Sequence, residues 1–214
     1  LDLTVKNDYD PDSWAEIIMI YNGALKKINT KLEILNDEFQ MMHRYNPIEH
    51  IKFRIKSSES IVKKLKKKGY DSTLQNMVDY VNDIAGIRVI CSFTSDIYKL
   101  ADMIANQPDI NVQYVKDYIA NPKESGYRSY HMHVTTPVYL SEKAIDVKVE
   151  IQIRTVAMDF WASLEHKIKY KFEGNAPAGI IDQLRDCSDM IAVVDEKMLS
   201  LNKEILSFNG MEEF

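Results

Sequence analysis

Breakers are scarce in this chain. Its 214 residues include seven Gly and six Pro, roughly 6% together against about 12% in average usage. Long uninterrupted elements follow, and a helix-rich protein is expected. Long apolar runs are also absent, since nothing approaches the ~18 residues that a membrane-spanning helix requires. The opening residues, LDLTVKNDYDPDSW, are acidic and polar where a secretory leader would be basic and then apolar. Cys91 and Cys187 are the two cysteines, too few for a disulfide framework. Both stand in apolar contexts, which reads as reduced core residues in a cytoplasmic protein. No CxxC, H-x-x-x-H or HExxH occurs, so zinc is not expected. The absence of G-x-x-x-x-G-K-[ST] and of G-x-G-x-x-G excludes a P-loop and a Rossmann dinucleotide binder. No His-Asp dipeptide is present, which counts against a His/Asp-metal phosphohydrolase.

What charge there is falls unevenly. The chain carries −5 overall, yet residues 52–68 hold eight Lys/Arg against Glu59 alone, so that window is +7 and the remainder −12. A basic patch on an acidic protein suits a small polyanion better than a nucleic-acid duplex. A solvated helix face is the plainer alternative. Neither DNA nor a membrane is an expected partner, and nothing indicates regulation by RNA.

Periodicity organises the rest. Ile18, Tyr21, Leu25, Ile28, Leu32, Leu35, Phe39 and Met42 alternate by three and four, predicting a helix from Ser13 to about Tyr45, ended near Pro47. Leu184, Cys187, Ile191, Val194, Met198, Leu201, Ile205 and Phe208 repeat the pattern. Both stretches read as seams that pack on the domain, on each other or on another subunit. Between them, short helices are predicted over 58–68, 73–81 and 96–106, with a longer one over 155–171. Strands are predicted over 84–93 and near 111–119, 128–136 and 145–154, with PKESGY (122–127) as a turn. The expected fold class is α+β (mixed α/β): an N-terminal helical arm (1–45), a core (46–175) and a C-terminal helix (176–214), one structural domain overall.

Chemistry gathers at four places. In VKVEIQIR (147–154), Val147, Val149, Ile151 and Ile153 share one face, and Lys148, Glu150, Gln152 and Arg154 the other. With Trp161, Glu165 and His166 on the following helix, that polar face is either an exposed sheet surface or a cleft floor. Asp83 opens DIAGIRV, where Gly86 permits close approach and Arg88 follows on the strand. If the strands are neighbours, Asp83 and Glu150 reach one Mg²⁺. KDYIANPKESGYRSYH (116–131) brings together Lys116, Lys123, Tyr127, Arg128 and His131: charges for phosphate, and an exposed ring on which a base can stack. Arg54, Lys56, Ser60 and Lys64 come from the basic window, the last three on one helix face if the helix starts that early.

Three ordered segments, NDIAGIRVI (82–90), KDYIANPKESGYRSYH and VEIQIRTVAMDFWASLEHKIKYK (149–171), resemble the synthetase domain of the RelA/SpoT family, and the length resembles its stand-alone branch, the small alarmone synthetases. The resemblance implies a nucleotidyltransferase-like mixed sheet of about five strands surrounded by helices. It implies transfer of the β,γ-pyrophosphoryl group of ATP to the 3′-hydroxyl of GDP or GTP, giving ppGpp or pppGpp and AMP, in a homotetramer. By the same resemblance Asp83 and Glu150 are the catalytic pair, Asp83 as the Mg²⁺ ligand and Glu150 either helping to hold Mg²⁺ or deprotonating the 3′-hydroxyl. Arg54, Lys56, Ser60, Lys64 and Arg88 bind ATP, and Lys123, Tyr127, His131, Gln152 and Arg154 bind GDP or GTP. Lys52, Phe53 and His50 depart from the branch activated by its product, so that activation is not carried over. Asp159 stands where that branch often has Asn. The family's long members add a hydrolase domain, for which 214 residues leave no room.

Overall fold

A computed structural model describes residues 11–43, 45–171 and 178–208. Chain order is α1 (Pro11–Met42), β1 (Ile48–Ile55), α2 (Ser58–Lys67), α3 (Leu74–Tyr80), β2 (Ala85–Cys91), α4 (Thr94–Ala105), β3 (Asn111–Asp117), β4 (Tyr130–Tyr139), β5 (Ala144–Thr155), α5 (Val156–Lys171) and α6 (Ala178–Phe208). The five strands form one sheet in the order β1-β2-β5-β4-β3. Only β2 and β5 run parallel; every other pair is antiparallel. The expected boundary at 175–176 lies outside the described residues.

Strand period two sorts the sheet into an apolar and a polar face. Ile87 and Val89 of β2, Val149, Ile151 and Ile153 of β5, and Met132 and Val134 of β4 turn to the same side and are buried. Two helices supply the matching apolar surface there: α1 through Ile17, Ile20, Tyr21, Ala24, Leu25 and Ile28, and α4 through Ile97, Leu100 and Ile104. The α1 stripe is wider than the expected seam. Met42 is exposed and Ile18 only half-buried, because a helix lying on a sheet buries positions i, i+3, i+4, i+7 and i+8 rather than a narrow heptad edge.

The basic window divides differently from the expectation. Ile48–Ile55 is an edge strand pairing with β2, so Arg54 sits on a strand and Lys56 in the link that follows. The helix begins at Ser58, with Ser57 as its N-cap accepting from the Ser60 amide. Lys56 therefore shares no helix face with Ser60 and Lys64. Gly69 closes α2 at φ +79, with the Tyr70 amide bonded to the Leu65 carbonyl and the Gly69 amide to the Lys66 carbonyl, a Schellman arrangement.

The first half of α6 supplies its buried residues, and the second half is largely exposed beyond Asp195, which accepts from Thr155. Leu184 and Ser188 are buried, while Cys187 is exposed, contrary to the core position expected for it; Cys91 is fully buried. Met198, Leu201, Ile205 and Phe208 lie half or more exposed. Ser188 donates to the Gly126 carbonyl, and a methyl added at Gly126, where φ is +87, would stand 2.7 Å from Ser188 Cβ. Gly69 has the same handedness with nothing within 4 Å. Gly126→Ala should thus cost the ~1–2 kcal/mol of a left-handed residue plus about 1–3 kcal/mol of overpacking, and Gly69→Ala the first amount alone. Urea unfolding of the two variants measures the difference; equal losses would contradict the packing of this loop on α6.

Candidate active site

Register builds the site. Gly86 of β2 pairs with Arg54 of β1 on one side and with Glu150 of β5 on the other, and Glu150 faces His133 of β4. One step along, Lys52, Arg88, Gln152, His131 and Lys116 form a second row across all five strands. These two rows are the polar face of the sheet, the reverse of the packed one. Gly86 contributes no side chain, and a Cβ there would meet nothing closer than the Arg54 carbonyl at 3.9 Å. The floor is left open at its centre.

Two cavities occupy this face. The smaller, about 200 Å³, is bordered by Phe53, Arg54, Gly86 and Arg88; the larger, about 550 Å³, by Lys64, Lys116, Lys123, Tyr127, His131 and His133. Asp83, Glu150 and Gln152 border both. The two spaces therefore meet at a pair of carboxylates.

Those carboxylates are held ionised by different means. Lys56 and Lys64 reach Asp83 at 3.0 and 2.8 Å. Burial alone would raise the Asp83 carboxyl, but the hydrogen bonds from Lys64 and Lys56 more than offset it and keep the group below the usual carboxylate range. Burial likewise works against ionised Glu150, and hydrogen bonds from His131 and Gln152 bring it below its ordinary value. Gln152 Nε2 donates to Glu150 at 2.7 Å, and His131 Nδ1 stands 3.2 Å away. Arg154 is 3% exposed; its guanidinium donates to Gln152, Tyr127 and Asp159. Asp159 also accepts from Arg88 at 3.0 Å, so one carboxylate clamps an arginine from each cavity's side.

The loop before β4 is anchored at both ends. Asp117 accepts from the Ile119 and Ala120 amides, Arg128 pairs with Asp189 of α6 at 3.1 Å, and Arg185 donates to the Glu124 carbonyl. This fixes Lys123 over the rings of Tyr118 and Tyr127 at 4.5 and 4.6 Å. Tyr127 is half-buried rather than the exposed platform expected, because its hydroxyl is tied to His131 Nε2 at 2.8 Å and to Arg154. A base stacking on this ring must displace the Lys123 ammonium.

Most expected site residues converge here: Arg54 and Arg88 at the smaller cavity, Lys64, Lys123, Tyr127 and His131 at the larger, Asp83, Glu150 and Gln152 at both, with Lys56 and Arg154 directly behind them. Ser60 does not border either cavity; it lies exposed on the first turn of α2. Of the α5 residues, Glu165 borders the larger cavity. Trp161 instead buries itself against α6, donating to the Leu184 carbonyl at 2.9 Å, and His166 is exposed.

Comparison with known proteins bears on this geometry directly. Residues 53–175 match the family model described as a region found in RelA / SpoT proteins. The chain belongs to the RelA/SpoT family. GTP pyrophosphokinase YwaC of Bacillus subtilis is 46% identical over 194 residues, covering 91% of this chain and 92% of that protein. The crystal structure of small alarmone synthetase 2 from Bacillus subtilis matches with TM-score 0.82 at 45% identity, over 90% of this chain and 99% of that one. Small alarmone synthetase 1 from the same organism, bound to its product pppGpp, matches with TM-score 0.84 at 35% identity, over 90% and 98% of the two chains.

In this RelA/SpoT-family chain, sequence reasoning passed over His133. The signal was available: a histidine two residues after His131 on a strand shares its face. Tyr114 stacks on the His133 ring at 4.3 Å. Burial pushes both imidazoles below the ordinary 6.5, so the unfolded chain takes up protons first. Stability is then complete above about pH 6.5 and declines as the pH falls below it. The urea midpoint should drop between about pH 7.5 and 5.5, and drop less in His133→Asn. Identical pH slopes would remove His133 from this explanation.

Proposed function

We propose that the protein transfers pyrophosphate from ATP to the 3′-hydroxyl of GDP or GTP, making ppGpp or pppGpp plus AMP as a stringent-response signal. The observation that carries this is the junction of two cavities at Asp83 and Glu150. A group-transfer enzyme must hold donor and acceptor together, with the reacting atoms at the place both spaces share. The bond from the 3′-oxygen to the β-phosphorus forms as the bond from that phosphorus to the α,β-bridging oxygen breaks, and AMP leaves with the bridging oxygen.

Roles follow from position. Arg54 and Arg88 flank the smaller cavity as faces for adenine. Lys56 and Lys64 stand beside Asp83 as phosphate contacts, and Ser60, on the first turn of α2, belongs with them only where phosphates extend along that helix start. Lys123 and His131 face the acceptor's phosphates, Tyr127 its base, and Gln152 and Arg154 complete that side. Glu150, ionised and bordering both cavities, takes the 3′-hydroxyl proton. Asp83 and Glu150 offer the hard oxygen donors that suit Mg²⁺; bound there, the ion would supply neutralising charge for the phosphates. Preorganised cationic groups in a partly buried cleft are the main catalytic resource for phosphoryl chemistry. The exposed apolar line along the second half of α6 is the surface through which we place a homotetramer, and the cytoplasm is where its nucleotide substrates are found. No described helix is long and apolar enough to cross a membrane.

Incubation with ATP labelled at the β-phosphate and either GDP or GTP tests the activity. Label should enter a guanosine tetra- or pentaphosphate, and Asp83→Ala should lower the rate by about 10²–10³-fold or more. Tyr127→Ala should mainly raise the acceptor KM, by about 1–3 kcal/mol of lost stacking. Nucleotide binding without transfer to either acceptor would overturn the enzyme reading in favour of a silent nucleotide-binding module. For the assembly, light scattering of Leu201→Lys/Ile205→Glu should report smaller species than the parent chain. An unchanged mass would contradict assembly through α6.

A further inference from the structure

His131, His133 and Glu150 form a group whose purpose is not exhausted by nucleotide binding. The two histidines are two apart on β4 and so share its polar face, and His133 stands directly opposite Glu150 on β5. One ligand atom from each of the three lies within 4.8 Å of the other two. His131 Nδ1 is 3.2 Å from Glu150 Oε1, and His133 Nε2 is 3.5 Å from the same oxygen. Ligand atoms about 2.0–2.1 Å from a tetrahedral ion are about 3.3 Å apart, a value these two distances bracket. His133 is 8% exposed; its Nε2 is the nitrogen turned toward Glu150, and its Nδ1, on the other side of the ring, is buried with no hydrogen-bond partner among the described residues.

The surroundings orient two of the three, His131 and Glu150, as a metal site does, and His133 is held by the Tyr114 ring stacked on it. Tyr127 engages His131 Nε2 at 2.8 Å, which leaves Nδ1 turned toward Glu150, and Gln152 holds the second Glu150 oxygen. Such outer contacts fix the tautomer and the direction of ligating imidazoles. All three residues border the larger cavity, so a fourth coordination position is open to solvent or ligand. We propose that His131, His133 and Glu150 bind a borderline transition-metal ion such as Zn²⁺, at a site separate in kind from the all-oxygen Asp83–Glu150 pair. Two imidazoles and one carboxylate select Zn²⁺, Co²⁺ or Ni²⁺ over Mg²⁺. The expectation against zinc rested on helical and CxxC spacings; a strand brings H-x-H to one face instead. Because Glu150 and His131 are shared, an ion here withdraws both from the transfer reaction. That last consequence rests on the synthetase reading; the site itself does not.

The test uses the full chain, stripped of metal and titrated with Zn²⁺ against a chromophoric chelator in saturating Mg²⁺. One Zn²⁺ per chain should bind, and His133→Asn should weaken it by at least about tenfold, while Cys187→Ser and His166→Asn leave it unchanged. Absence of uptake, equal affinity in His133→Asn, or loss in Cys187→Ser would overturn the site. Co²⁺ added to the unaltered chain gives a check independent of how the variant folds: the intense visible absorption of a four-coordinate ion is expected, and the weak spectrum of hydrated Co²⁺ would count against the site. In the transfer assay, Zn²⁺ should inhibit the parent chain at concentrations at least tenfold below those needed for His133→Asn, each relative to its own metal-free rate. Binding without that difference would keep the site and overturn its coupling to transfer. No transfer at all, with binding intact, would fault the synthetase reading alone.

Discussion

The parallel register of β2 against β5, which sets Gly86 beside Glu150, is the constraint from which the site follows. A strand's side chains alternate, so a slip of one residue would send Glu150, Gln152 and Arg154 into the apolar core and Val149, Ile151 and Ile153 to solvent. The buried face prevents that slip, because Ile87, Val89, Ile151 and Ile153 are each at or below 1% exposure against α1 and α4. Core packing thus positions the chemistry on the reverse of the sheet without touching it. The gap at Gly86 then separates the guanidinium of Arg54 from the Glu150 carboxylate and leaves a floor on which a ligand can lie.

Electrostatics complete what register begins. An acidic protein gathers its cations around one cleft, and the carboxylates inside are ionised because lysines, a glutamine and a histidine point at them. Lys56 and Lys64 already surround Asp83, so the charges are arranged before any phosphate arrives and little reorganisation is needed on binding. The loop carrying Lys123 and Tyr127 is fixed by Arg128, Arg185 and Ser188 to α6. Part of the larger cavity's wall therefore depends on the same helix whose far half leaves Met198, Leu201, Ile205 and Phe208 exposed.

Much of this was legible in the residues. The alternation of VKVEIQIR gave both the buried and the polar face of β5, and the Asp83–Gly86–Arg88 spacing placed a carboxylate at a strand entrance. The loop around Gly126 was marked by its Pro and Gly. What sequence concealed was pairing: β1 is a charged edge strand, and its Lys52 and Arg54 look like the start of the basic helix that follows until β2 is seen beside them. The place of His133 on the face of His131 was legible, but its pairing with Glu150, 17 positions away in the chain, was concealed in the same way. Tyr127 seemed exposed because its two hydrogen-bond partners, His131 and Arg154, come from different strands. The outward position of Cys187 depends on how α6 rolls against α5, and an apolar context on a helix does not specify that rotation.

Initial rates of transfer with ATP and the guanine nucleotide varied against each other test most directly whether both substrates occupy the joined cavities at once. Reciprocal plots that intersect, the mark of a ternary complex, are the result this structure predicts. Parallel lines, the mark of a covalent pyrophosphoryl-enzyme formed before the acceptor binds, would contradict it.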